Sequence, residues 1–237
     1  MDELFTPAFL TGFFTIIGID VILSGDNAVV IALAARSLPE RQQKRAVFWG
    51  AGAAVALRVL LAAVAVQMLR FPYLKLAGGA MLLWIAVKLL LPESDEADVA
   101  PADHLWAAVK TIVVADFVMS LDNVVAVAAA AKGSVLLLAL GLLISIPLVV
   151  FGASMLMKLM ERWPIIITLG AGILGWTALD MAITDPMVAP LLHGTSRALH
   201  LAIPAAGAIF VIAVGKLIAM RHRREPAMAG NAGLVRD

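Results

Sequence analysis

Residues 20–35 read DVILSGDNAVVIALAA and residues 116–131 read DFVMSLDNVVAVAAAA. Aligned without a gap at a spacing of 96, they share eight of sixteen residues, including all four polar positions, Asp, Ser, Asp and Asn. Apolar helices match at Ala and Val by accident, but the same four polar residues at one spacing mark a duplication. A weaker echo extends it, since Gly78, Trp84 and Lys88 are spaced like Gly170, Trp176 and Asp180.

The surroundings are those of a membrane protein. Of 237 residues 62% are hydrophobic and 15% charged, against roughly 25% charged in an ordinary soluble domain. That composition excludes a soluble enzyme, a disordered chain and a nucleic-acid binder relying on net positive charge. Seven apolar stretches follow one another, at about 8–35, 46–69, 71–91, 105–131, 134–157, 164–184 and 199–220. At about 20 residues per crossing they fill the chain and leave no room for a soluble catalytic domain. Asp2 and Glu3 open the first stretch, unlike the basic start of a signal peptide.

Each copy of the repeat then holds three helices. An odd number makes the second copy enter the membrane from the opposite side, so the copies are inverted, an arrangement that places transporter sites at the repeat interface. The expected fold is an all-α polytopic membrane protein of seven transmembrane helices. Within one membrane domain, 1–237, it comprises repeat 1 at about 8–91, repeat 2 at about 105–184, a seventh helix at about 199–220, and a tail from 221. Lys and Arg near the helix ends divide 12 against 4. Arg36, Arg41, Lys44, Arg45, Lys88, Lys110, Lys158, Arg162, Lys216, Arg221, Arg223 and Arg224 face Arg70, Lys75, Lys132 and Arg197, which puts the N-terminus outside and the C-terminus in the cytoplasm. The acidic connection with Glu93, Asp95, Glu96, Asp98 and Asp103 reads as a solvated cytoplasmic linker.

A carboxylate at bilayer depth is kept when it faces a cavity, a partner or an ion. There are four here, Asp20, Asp26, Asp116 and Asp122. Arg58 is the one deep base and is expected to neutralise one of them, its counterpart region at 148–154 having no basic residue. On an ideal helix Asp20, Ser24 and Asn27 share a face while Asp26 lies about 120° away, so both acids address one ion only if the helix is interrupted. Ser24 and Gly25 supply a place for that; Leu121 stands where the second copy would need its glycine. Otherwise Asp26 and Asp122 form a central site and Asp20 and Asp116 line access routes from opposite faces.

Carboxylate, carboxamide and hydroxyl oxygens suit Mg, Ca or Mn, whereas zinc or copper would recruit His or Cys. The chain has no Cys, and His104, His193, His200 and His222 lie outside the repeated motifs. Met68, Met81 and Met119 read as packing, Met119 being the one that could soften a metal site. The glycines at 50, 52, 78, 79, 141, 170, 172 and 175 suit close helix contact, Pro147 is expected to kink its helix, and the five Trp form an interfacial belt. No nucleotide, hydrolase or dithiol motif occurs, so no enzyme activity and no cofactor is expected.

With DVILSGDN at 20–27, DFVMSLDN at 116–123 and LKLAGGAMLLWIAVKLL at 74–90, nearly the whole chain resembles the TerC family of integral membrane proteins, in its short bacterial branch. The resemblance implies a LysE-related seven-helix fold in the bacterial plasma (inner) membrane and export of Mn2+ from the cytoplasm. It also implies Asp20, Asp26, Asn27, Asp116, Asp122 and Asn123 as metal-binding positions, with Ser24, Ser120 and Arg58 in support. The expected partners are the lipid bilayer, a divalent cation and protons, because carboxylates crowded round one site repel one another when the metal leaves and so favour proton uptake. Export of another small solute such as an amino acid, recognised through Arg58, is the alternative, followed by a non-transporting accessory protein.

Overall fold

The computed structural model describes residues 6–68, 71–91, 101–131, 134–192 and 194–232; within its helices the side chains of Ala8, Pro101, Asp122, Ala219, and residues 63–68 and 221–232 lie outside that description. Glu93, Asp95, Glu96 and Asp98 of the expected linker, with Arg70, Lys132 and His193, also lie outside it. The described chain is all-helical: α1 Pro7–Leu23, α2 Gly25–Ala35, α3 Glu40–Met68, α4 Leu74–Leu90, α5 Pro101–Ala131, α6 Val135–Arg162, α7 Ile165–Ile183, a 3-10 turn Ala189–Leu192, and α8 Arg197–Ala232.

Each apolar stretch coincides with one helix, except that the first is a broken pair. α1 and α2 meet at Ser24 with a bend of 52°. A β-carbon at Gly25 would meet nothing within 4 Å, so crowding does not impose glycine there. Its low helix propensity, about 1 kcal/mol below Ala, makes it a weak point instead. α5 carries Leu121 at the equivalent position and runs unbroken. Among the described residues five helices are long and apolar enough to cross a membrane, and the bent pair makes a sixth candidate. α4, with 17 residues, would extend about 25 Å, somewhat less than a bilayer core of about 30 Å.

Several helices outrun their apolar stretches, α3 and α8 the furthest. α3 begins at Glu40, where the exposed Lys44–Glu40 pair at 3.0 Å spans one turn, and α8 continues to Ala232. Pro147 lies inside α6 without ending it. All five Trp are exposed, as are Phe14, Ile22, Phe151 and Ile209, the apolar exterior of a chain surrounded by lipid.

Packing fixes where the repeated acids go. α3 lies along α5, while α6 lies along α1 and α2; α4 packs on α7, and α8 covers α7 and α4. Two contacts show the close approach that glycine permits. A β-carbon at Gly50 of α3 would stand 2.8 Å from Ile112 of α5, and one at Gly141 of α6 would collide with Ile16 of α1. Ile16 and Ile112 are themselves 96 positions apart, the spacing of the repeat. Asp20 of the first copy therefore comes beside both α6 and α3, and Asp116 of the second beside α3. The buried core between them collects Val30, Leu33, Leu82, Ile112, Val118, Met160 and Leu174, and Met119 is buried with them as packing.

Candidate functional site

Asp20 on α1 and Asp116 on α5 are both buried, and both meet Arg58 of α3. The guanidinium Nη2 donates to Asp116 Oδ1 at 2.5 Å and Nε to Asp116 Oδ2 at 3.1 Å, a two-bond fork. Nη1 donates to Asp20 Oδ1 at 2.5 Å and to Ser24 Oγ at 3.0 Å. The expectation that Arg58 serves one carboxylate is corrected here: a planar guanidinium has two edges, and each edge holds one acid.

Hydroxyls complete the network. Ser120 Oγ, one turn on from Asp116, donates to Asp116 Oδ2 at 3.1 Å, and Ser145 of α6 donates to Asp20 Oδ2. Asp20 and Asp116 are thus brought to one point at the interface of the two copies, not to opposite faces. Taking the Gly50 and Gly141 contacts as equivalent places α3 and α6 in register 91 positions apart. Val149 then matches Arg58 and Ala54 matches Ser145, so the partners of the two acids are not themselves repeated in the sequence.

The two asparagines differ. Asn123 Nδ2 donates to the carbonyl of Leu23 at 3.2 Å, where the break between α1 and α2 releases a helical carbonyl. Asn27 is 2% exposed, yet neither its carboxamide oxygen nor its nitrogen finds a hydrogen-bond partner among the described residues. Leaving a buried polar group unpaired costs about 1–3 kcal/mol, so an oxygen in this state is an available ligand. Asp20, Ser24 and Asn27 share an ideal helical face, but the chain bends by 52° at Ser24 and Asn27 makes no hydrogen bond to the Arg58 network.

Asp26 is half-buried at the start of α2; its Oδ1 accepts the backbone N–H of Asn27 at 2.9 Å, and it lies within electrostatic reach of Arg58 and Asp116. Asp122 follows Leu121 in α5, its side chain outside the described set. Among the described residues no three His, Cys, Asp or Glu side chains form a metal-sized cluster. The void beside the network, lined in part by Asp20, Arg58 and Asn123, measures about 10 Å3, barely the space of one water. Two carboxylates against one guanidinium leave it net negative.

The family model for the integral membrane protein TerC family matches residues 5–224. The chain belongs to the TerC family. It is similar to the Bacillus subtilis (strain 168) membrane protein YjbE, 40% identical over 206 residues that cover 86% of this chain and 93% of YjbE. The membrane protein YkoY of the same organism is 27% identical over 71% of this chain and 58% of its own length. YceF, also from that strain, is 26% identical over 71% of this chain and 69% of its own. No solved structure matches the chain.

Two further residues matter that their sequence context does not mark. Ser145, one of two serines in α6, has no hydroxyl counterpart in the other copy, where Ala54 matches it. Asp185, just beyond α7 and fully enclosed, accepts the backbone N–H groups of Tyr73, Lys75 and Leu76 at 3.1–3.2 Å and of Met187 at 2.9 Å. It anchors the N-terminus of α4, where Tyr73 takes a left-handed φ of 66°. Burial by itself would raise the Asp185 carboxyl, but these four donors hold it below the ordinary carboxylate range.

Proposed function

We propose that this TerC-family membrane protein is a secondary transporter that exports a divalent cation, Mn2+ first among candidates, from the cytoplasm of a bacterium across its plasma (inner) membrane. The observation that carries the reading is the convergence of Asp20 and Asp116, one from each copy, on a single buried guanidinium. A duplicated acid pair at the interface of two copies is where a LysE-type inverted repeat would hold its ion.

Seven crossings in two inverted copies belong to this reading. Support comes from the exchange of neighbours, α3 on α5 against α6 on α1 and α2, and from the Gly50–Ile112 and Gly141–Ile16 contacts at matching positions. A three-helix copy requires α4 to cross, its ends extended by the interfacial Phe71–Tyr73 turn. The basic ends then place the C-terminus inside.

The mechanism follows from the charges. Asp26, Asn27, Asp122 and Asn123 offer hard oxygen ligands, and Ser24 and Ser120 offer hydroxyls. Arg58 serves as a built-in counter-ion, holding Asp20 and Asp116 together while no metal is present. An arriving dication competes for those oxygens and drives the guanidinium off at least one of them. That change is coupled to the α1–α2 break, because Ser24 both ends α1 and accepts from Arg58. When the metal leaves, protons or Arg58 restore the balance, and inward proton flow can drive export. Arg58 already holds two carboxylates, which disfavours recognition of an amino-acid carboxylate through it.

Equilibrium binding of Mn2+ to the purified full-length protein tests the reading. Saturable binding that is lost in Asp26→Asn and Asp122→Asn, and is not displaced by free amino acids, is the result expected. Unchanged binding in both variants would overturn the assignment.

A further inference from the structure

A cavity of about 650 Å3 opens where the C-terminal ends of α2 and α4 meet the N-terminal end of α5. Its inner wall is aliphatic, with Leu33, Ile85 and Val114, while Arg36, Lys88, His104 and Lys110 gather at the same helix ends. Arg36 donates to the carbonyl of Leu89 at 3.0 Å, tying α2 to α4 at the cavity edge. Lys88 Nζ sits 5.4 Å from the centre of the exposed Trp84 ring. Neither Lys88 nor Lys110 pairs with a carboxylate among the described residues.

The fold does not itself call for these cations. At the spacings of the repeat Lys132 stands where Arg36 does, but Asp180 stands where Lys88 does, Phe14 where Lys110 does and Ala8 where His104 does, so three of the four have no basic counterpart. A pocket of this volume is the size of a small-molecule site, and its walls are part cationic and part aliphatic. Free phosphate would use only the first part, a neutral acyl chain only the second. A basic pocket between membrane helices with an interfacial Trp beside it fits a molecule having both.

We propose that this cavity binds an anionic phospholipid, with its phosphate between Lys88, Lys110 and Arg36 and the upper part of an acyl chain along Leu33 and Ile85. Trp84 marks the headgroup level. The lipid would brace the ends of α2, α4 and α5, and this inference does not depend on which ion is transported.

Native mass spectrometry of the full-length protein in detergent, titrated with phosphatidylglycerol or phosphatidylcholine, provides the test. Phosphatidylglycerol should bind in preference to phosphatidylcholine, and the Lys88→Gln/Lys110→Gln variant should bind it roughly tenfold more weakly. Lys88→Arg/Lys110→Arg should retain binding, and millimolar inorganic phosphate should not displace the lipid. Equal affinity in the Gln variant, or displacement by inorganic phosphate, would overturn the proposal. Should the Gln variant not fold, brominated-chain phosphatidylglycerol can be added to wild type and to Trp84→Phe. Quenching that is present in the first, reduced in the second and weaker with brominated phosphatidylcholine supports the site; quenching without lipid preference contradicts it.

Discussion

Replacing Arg58 by Gln puts the central network under its most informative strain. Four donated bonds disappear, two to Asp116 and one each to Asp20 and Ser24. Two buried carboxylates are left facing each other with Ser120 and Ser145 as their remaining partners. Breaking a buried pair from one side costs about 3–5 kcal/mol, much of it the penalty of the stranded charge. Arg58→Gln should therefore lower the stability of the detergent-solubilised protein by that order, measured by chemical or thermal unfolding followed by tryptophan fluorescence. Combining it with Asp116→Asn should recover a large part of the loss, because the more heavily bonded of the two stranded charges is then removed. Asp20→Asn should recover less, as Asp20 loses one bond to Arg58 where Asp116 loses two. A double-mutant cycle gives the coupling of each pair. Wild-type stability in Arg58→Gln, or no coupling to either acid, would refute the shared counter-ion.

Other consequences can be checked separately. Ser24→Ala and Ser120→Ala should each reduce Mn2+ transport less than Asp26→Asn or Asp122→Asn, since a hydroxyl is the more replaceable oxygen; the reverse order in a flux assay contradicts the ligand scheme. Gly25→Leu should stiffen the join of α1 and α2 towards the unbroken form of α5 and slow transport, read by spin-label distances across Ser24 together with flux; an unchanged bend with full transport contradicts the hinge. Asp185→Asn should destabilise the fold near neutral pH by weakening the anchor of α4. The wild-type carboxyl is held below its ordinary value, about 4, so its stabilisation is complete above that value and is lost as pH falls through the lower folded-state one. Unfolding curves from pH 7 to 2 should show that acid-sensitive limb in wild type and a smaller one in the variant. Reporters fused at the C-terminal tail and in the 92–100 connection should both respond as cytoplasmic; opposite sides would contradict the inverted copies.

How far the chain could be read without coordinates depends on the kind of interaction. Apolar runs of membrane length specify helices almost by themselves, because in lipid the backbone has to satisfy its own hydrogen bonds. The break at Ser24 was legible in the Ser–Gly pair, and so was its absence at Leu121, because helix propensity is local. The repeated Asp, Ser, Asp and Asn were legible because polar groups stand out against apolar helices. Partner choice was not. That Arg58 reaches both Asp20 and Asp116 depends on how α3 lies along α5, and Ser145 enters only through the register of α6 on α1. Asp185 sits more than 100 positions from the helix start it anchors, with no periodicity to connect them. Ideal helical geometry puts Asn27 on one face with Asp20 and Ser24, but the chain bends by 52° at Ser24, before Asn27 is reached.

The central claim is that a divalent cation leaves the cytoplasm through a site built by both copies, and Mn2+ flux through the purified protein in proteoliposomes tests it most directly. With Mn2+ on the side equivalent to the cytoplasm and membrane potential clamped, efflux should be accelerated by an inward proton gradient, slowed when that gradient is collapsed, and absent in Asp26→Asn and in Asp122→Asn. Efflux that ignores the gradient would remove proton exchange and leave a passive pathway. The absence of Mn2+ flux in the wild-type protein, or full flux in both variants, would contradict the account.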